Sequence, residues 1–82
     1  MGRPGDAPSM QEFARRVRAR RKELGVSQMA LADAAGLHFT FFSTVERGQR
    51  NVTLTSILRI AAALDVDPGE LLAGMRLDPR RR

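Results

Sequence analysis

Apolar side chains recur along this chain at three- and four-residue spacing, and nowhere in the alternation of a half-buried strand. Phe13, Val17 and Leu24 share one stripe, and arginines fill the positions around it. The pattern predicts a first helix over residues 10–24, with Ser9 as N-cap, Glu12 completing a capping box and Gly25 as the stop. Ser27 is placed to cap a second helix, Gln28 to Ala35, with Leu31, Ala32 and Ala35 inward and Gly36 at its end. A third helix starts at His38 or a neighbour and runs to about Arg47, burying Phe42 and Val45. Gly48 breaks it, and residues 49–52 form a polar loop. Thr53 caps a fourth helix, Leu54 to Leu64, with Leu54, Ile57, Leu58 and Ala61 facing in and Ile60 on the flank. Asp67, Pro68 and Glu70 supply the N-cap, N1 and N3 signals of a short fifth helix over 68–74, which offers Leu71 and Leu72. Residues 1–8, rich in Gly and Pro, read as a flexible arm, 9–75 as the folded domain and 76–82 as a basic tail.

Composition narrows the class to a single small all-α domain. With 82 residues there is room for one modest core, and the absence of Cys removes disulfides and thiolate metal sites. A single His leaves only carboxylates for a metal, so neither a metal nor a cofactor is expected. No apolar run approaches the ~20 residues of a membrane span. The first residues lack the apolar region of a signal peptide, so the expectation is a cytoplasmic protein without membrane contact.

The net charge of +5 is unevenly spread. Residues 1–25 carry Arg3, Arg15, Arg16, Arg18, Arg20, Arg21 and Lys22 against Asp6, Glu12 and Glu23. Residues 26–52 balance, with Arg47 and Arg50 against Asp33 and Glu46. Basic patches attract polyanions by counterion release. Yet thirteen Arg to one Lys is also what a GC-rich coding sequence yields, so summed charge leaves the partner open.

Residues 28–47 are more specific. A short helix, a glycine turn and a second short helix must cross steeply, which restricts residue types. Ala32 provides the small side chain where the helices approach, and Gly36 the positive φ of the turn. Leu31, Ala35, Leu37, Phe42 and Val45 lock the pair onto helices one and four. Added to this register are Gly25-Val26-Ser27-Gln28, Val45-Glu46-Arg47-Gly48, Arg50-Asn51 and Ile60-Ala61-Ala62-Ala63-Leu64. With them the chain resembles the Xre (Cro/C1-type) helix-turn-helix regulators, over roughly residues 13–72. The run Glu46-Arg47-Gly48-Gln49-Arg50-Asn51 is most similar to restriction–modification controller proteins.

The resemblance implies a compact five-helix, lambda-repressor-like domain with the helix-turn-helix at helices two and three. It implies a homodimeric, sequence-specific regulator of transcription that puts its third helix into the major groove of operator DNA, with no enzymatic activity and no small-molecule ligand. That geometry presents His38, Phe39, Thr40, Ser43 and Thr44 to base edges. His38 is either a base donor or a helix cap. Phe39 stands where controllers commonly carry a guanine-reading Arg, and offers apolar contact to thymine or packing instead. Phe41 is expected to pack against helix four or a dimer partner. Gln28 matches the family Gln that bonds a phosphate and braces the reading helix. Arg47, Arg50 and Asn51 are phosphate candidates or solvated surface, with Arg18 and Arg3 behind them.

Arg21 and Glu46 match a family ion pair between helices one and three. Val66, Met75 and Leu77 are expected at the dimer seam, and Leu71 and Leu72 in the monomer core. A protein-interaction module on the same fold, of antitoxin or coactivator type, is the alternative that the Phe-rich third helix motivates. Ser43, His38 and Asp33 lie on helix surfaces without a pocket and do not make a catalytic triad.

Overall fold

The computed structural model describes residues 7–76, which form five helices: α1 Ala7–Leu24, α2 Gln28–Ala35, α3 Phe39–Glu46, α4 Leu54–Leu64 and α5 Pro68–Leu72. The arm up to residue 6, with Arg3, and the tail from residue 77, with Leu77, lie outside the described residues.

Local signals set most helix ends. Ser27 Oγ accepts from the Ala30 N–H, Thr53 Oγ1 from Ser56 and Asp67 Oδ1 from Gly69, so α2, α4 and α5 each begin on a side-chain cap. Gly36 adopts φ +71°, and the Leu37 N–H reaches back to the Ala32 carbonyl at 2.9 Å, closing α2 in a Schellman turn. α4 ends the same way on Asp65, at φ 56°, a left-handed conformation unusual for a residue with a Cβ. Arg20 supports that end by donating to the Leu64 and Asp65 carbonyls at 3.0 and 3.4 Å.

The start of α1 departs from the sequence expectation. Ala7, Pro8 and Ser9 are already helical, so Ser9 is not an N-cap. Pro8 does not oppose this, because first-turn N–H groups have no helical acceptor. Glu12 is not part of a capping box either. It accepts from Arg15 at 2.6 Å and Arg16 at 2.7 Å, and these bonds, Arg15's foremost, lower its pKa from 4.5 to about 2. α5 stops at Leu72, short of the expected residue 74, because Ala73 and Gly74, the latter at φ +78°, form a type II turn in which the Met75 N–H donates to the Leu72 carbonyl at 3.0 Å.

α1, α2 and α4 enclose one core, and α3 and α5 close it. Phe13, Val17, Leu31, Ala32, Phe42, Val45, Ile60, Ala61, Leu64 and Leu71 form its buried centre. Five positions differ from their expected placement. Leu24 is exposed at the end of α1, Leu72 is 37% exposed, and Leu54 and Leu58 on α4 are 69% and 47% exposed. Ile60, expected on the flank, is fully buried. The apolar arc of α4 is wider than the surface its neighbours cover, so the flank that meets α1 and α2 goes inside and the other stays in water.

Candidate nucleic-acid interface

α3 lies across the molecule with Phe42, Val45 and Glu46 buried beneath it. The burial of Glu46, only 1% exposed, governs the site. An ionised carboxylate in a core is costly unless its oxygens are satisfied. Here Arg21 closes a two-pronged pair, Nε to Oε2 at 2.6 Å and Nη2 to Oε1 at 3.0 Å. Gln28 Nε2 donates to Oε1 at 2.8 Å, and Arg18 donates to the Glu46 backbone carbonyl. The last turn of α3 is thereby tied to α1 twice and to the first turn of α2 once. Arg21 also donates to the Val26 carbonyl at 2.9 Å, holding the α1–α2 turn.

The sequence pairs Arg21 with Glu46 only through the family resemblance, and it gives no role to Arg18 in the link. The signal was present, since Arg18 and Arg21 stand three apart on one side of α1 and so face one neighbour. Gln28 keeps one amide hydrogen after its bond to Glu46 and is half-buried.

Outward, α3 presents a row of polar positions. His38 sits at the N-cap by its backbone, but its side chain makes no capping bond, which leaves the imidazole free. His38, Phe39, Thr40 and Arg47 are exposed, and Ser43 and Thr44 are half-buried beside them. Phe39, Ser43 and Arg47 follow one another at four-residue spacing on one line, with Thr40 and Thr44 on the next. Arg47 Nη1 donates to Ser43 Oγ at 3.0 Å, and Arg47 Nε to Gln49 Oε1 at 3.1 Å. Gln49, in the loop that the sequence predicts after α3, therefore aims Arg47. Thr44 Oγ1 donates to the Phe41 carbonyl at 2.7 Å. Phe41 is half-buried against the core, and the Arg50 guanidinium stands 5.4 Å from its ring centroid. Asn51 is exposed in the loop that follows.

Gly48 ends α3 at φ +72°, packed so closely that a Cβ there would meet the Gln11 amide at 2.6 Å. Gln11 Nε2 donates to the Gly48 carbonyl at 3.3 Å, which holds the loop carrying Arg47 and Arg50 to α1.

Among the residues expected at a dimer seam, Val66 and Met75 are half-buried and pack on the monomer core. Leu77 lies outside the described residues. Among the described residues, the large apolar side chains that remain most open are Leu54, Met29 and Leu58. Among the described residues no group of His, Asp or Glu is arranged to hold a metal, and no helix is long and apolar enough to cross a membrane.

A family model described as a helix-turn-helix domain matches residues 12–74. The control protein C.SmaI of Serratia marcescens is 42% identical over 60 residues, which cover 73% of this chain and 71% of that protein. Among solved structures, the restriction-modification controller protein C.AhdI from Aeromonas hydrophila aligns with a TM-score of 0.74 and 47% identity, over 76% of this chain and 94% of that one. The P22 c2 repressor, solved in complex with a synthetic operator, aligns with a TM-score of 0.70 and 33% identity, over 77% and 96% of the two chains. The five-helix fold of this chain, its α2–α3 register and these likenesses agree, and the chain belongs to the Xre (Cro/C1-type) helix-turn-helix family that includes restriction–modification control proteins.

Proposed function

We propose that this protein is a sequence-specific transcriptional regulator that binds double-stranded DNA as a homodimer, with α3 in the major groove. The observation that carries the reading is the anchoring of α3. A buried network of Arg21, Glu46, Gln28 and Arg18 fixes its inner side, while its outer side holds His38, Phe39, Thr40, Ser43 and Thr44 for base edges. Groups that discriminate between bases must be held to a fraction of an ångström, and a helix pinned at one end on two neighbours meets that demand. Arg47, Arg50, Asn51 and the free amide hydrogen of Gln28 flank the row as phosphate contacts, which position the protein without specifying sequence. The P22 c2 repressor, of the same fold, was solved on a synthetic operator.

The interaction-module alternative draws on the aromatic residues of α3. Of these Phe42 is core, Phe41 is half-buried near Arg50, and Phe39 alone is exposed, at 41%. One exposed ring next to polar neighbours favours a groove over an apolar protein surface.

A dimer places two reading helices ~34 Å apart on successive half-sites. Leu54 and Leu58 supply exposed apolar surface on α4 for a partner, with Val66 and Met75 adding what the core leaves uncovered and Leu77 expected beside them. Selection of bound duplexes from a random pool tests the reading. A palindromic consensus is expected, with binding that falls linearly in log K against log salt. Sedimentation at micromolar concentration is expected to show twice the 9.1 kDa monomer mass. Equal retention of all duplexes, or a monomer bound to a single half-site, contradicts it.

A further inference from the structure

Arg47 and Arg50 are each aimed by neighbours, Arg47 by Ser43 and Gln49 and Arg50 by the Phe41 ring. Those contacts leave open the backbone path between the two arginines. The path pivots at Gly48, which is buried at φ +72° and belongs to the residue type with the widest conformational freedom. On the α3 side the Gly48 N–H donates to the Val45 carbonyl at 2.9 Å and the Gln49 N–H to the Thr44 carbonyl at 3.0 Å. On the far side a cleft of about 110 Å³ opens between Arg50, Asn51 and Val52 and the Ser9, Met10 and Phe13 side chains of α1, so packing on α1 does not fix the chain there. Gln11 supplies the hold. Its amide donates to the Gly48 carbonyl at 3.3 Å, across 37 positions of sequence, and covers the Gly48 α-carbon so closely that an added Cβ would come within 2.6 Å of it.

The geometry points to Gln11 as a positioning residue for DNA binding: from α1 it acts through Gly48 to preset the loop that carries Arg47, Arg50 and Asn51, and it makes no DNA contact of its own. The inference rests on the DNA-binding reading above and adds to it a residue outside the helix-turn-helix. A loop that is set in advance meets phosphates without being ordered at that moment. A loose one gives up its backbone freedom on binding, and affinity falls by that cost.

The test compares the full chain with Gln11→Ala, Gln11→Met and Gly48→Ala on a duplex that the unmodified protein selects from a random pool. In the DNA-free protein, amide hydrogen exchange at Gly48 and Gln49 is expected to be about fivefold faster in Gln11→Ala, the scale of freeing one backbone residue. Exchange in α4 stays as it was, and the melt stays close to the parent's. DNA affinity falls about fivefold per subunit by the same cost. The selected consensus and the log K–log salt slope do not change, because no phosphate contact is removed. Gln11→Met keeps the cover over Gly48 but cannot donate, and is expected to match Gln11→Ala. In Gly48→Ala the added Cβ displaces the Gln11 amide, so Gln11→Ala causes no further loss in that background. The same holds in the Arg47→Ala, Arg50→Ala double variant, where the loop has no arginine left to aim. If Gly48→Ala does not fold, the arginine background carries the comparison.

Unchanged exchange and affinity in Gln11→Ala overturn the proposal. So does an affinity loss that persists in full without Arg47 and Arg50, which makes Gln11 a direct contact. A loss that tracks the melt in every background reduces Gln11 to a residue of the fold and overturns it as well. If the unmodified protein retains no duplex even at low salt, the DNA-binding reading falls and the positioning role falls with it.

Discussion

The basic face of α1 and the nearly neutral stretch from His38 to Asn51 invert what their charges imply. α1 holds Arg15, Arg16, Arg18, Arg20, Arg21 and Lys22, yet most of that charge is spent inside the molecule. Arg16, Arg18, Arg20 and Arg21 each donate to a backbone carbonyl of another part of the chain: Glu70, Glu46, Leu64 and Val26 respectively. Arg15 and Arg16 share Glu12. Arg47 and Arg50, by contrast, stay exposed at the end of α3 and in the loop after it. A guanidinium carries five donors in a rigid fork, so it serves equally as a phosphate contact or as a bracket for carbonyls at helix ends. Which role it takes depends on whether carbonyls lie within reach.

The largest effect expected from this contrast is on stability. Arg21→Ala leaves Glu46 buried with Gln28 as its sole side-chain partner, and breaking a buried pair from one side costs about 3–5 kcal/mol. For a domain this small the melt falls by roughly 10–20 °C or more. A melt equal to that of the unmodified protein refutes the buried network.

Next comes affinity without stability. Arg47→Ala and Arg50→Ala are expected to melt within about 0.5 kcal/mol of the parent. Each loses roughly tenfold in DNA affinity, with the log K–log salt slope shallower by about 0.9 per lost phosphate contact. Anisotropy titrations at several salt concentrations measure both quantities.

Arg20→Ala probes the bracket role directly. It removes the donor at the carbonyl end of α4, with an expected loss of about 1 kcal/mol in urea unfolding. At a temperature where the variant is folded its salt slope equals the parent's. A shallower slope moves Arg20 from bracket to phosphate contact.

The smallest effect is electrostatic. Arg15 and Arg16 hold Glu12 ionised down to about pH 2, against an ordinary value of 4.5. A carboxylate whose pKa is lowered on folding stabilises fully above its unfolded value, and that contribution fades as pH falls through the folded one. Glu12→Gln is therefore expected to lose less thermal stability than the parent between pH 4.5 and 2. Parallel melting curves across that window contradict it. Because the pair is exposed, the difference is small.

Where the controlling interactions are local, the chain discloses them. Gln28–Ala35 and Leu54–Leu64 have the bounds that Ser27, Gly36 and Thr53 predict, because caps and a left-handed turn act over three or four residues. The polar row on α3 is legible for a similar reason, as its spacing puts Thr40, Ser43 and Thr44 opposite Phe42 and Val45, while His38 is exposed because it is the extended N-cap. The start of α1 was not legible. Glu12 has two possible partners, a backbone N–H in a capping box or arginines one turn on, and the arginines win.

By itself the sequence determined an all-helical domain, its glycine turn and the family register, since these follow from periodicity, capping and the positive φ of Gly36. The tertiary structure alone decided which edge of α4 is buried, so that Ile60 goes in and Leu54 and Leu58 remain in water. It also decided which arginines bracket backbone carbonyls and which stay exposed, and in which direction the Ser43 and Thr44 hydroxyls are bonded. Charge and apolar arc are properties of a helix, but a partner carbonyl, a covering neighbour or an acceptor within 3 Å exists only once the helices are packed.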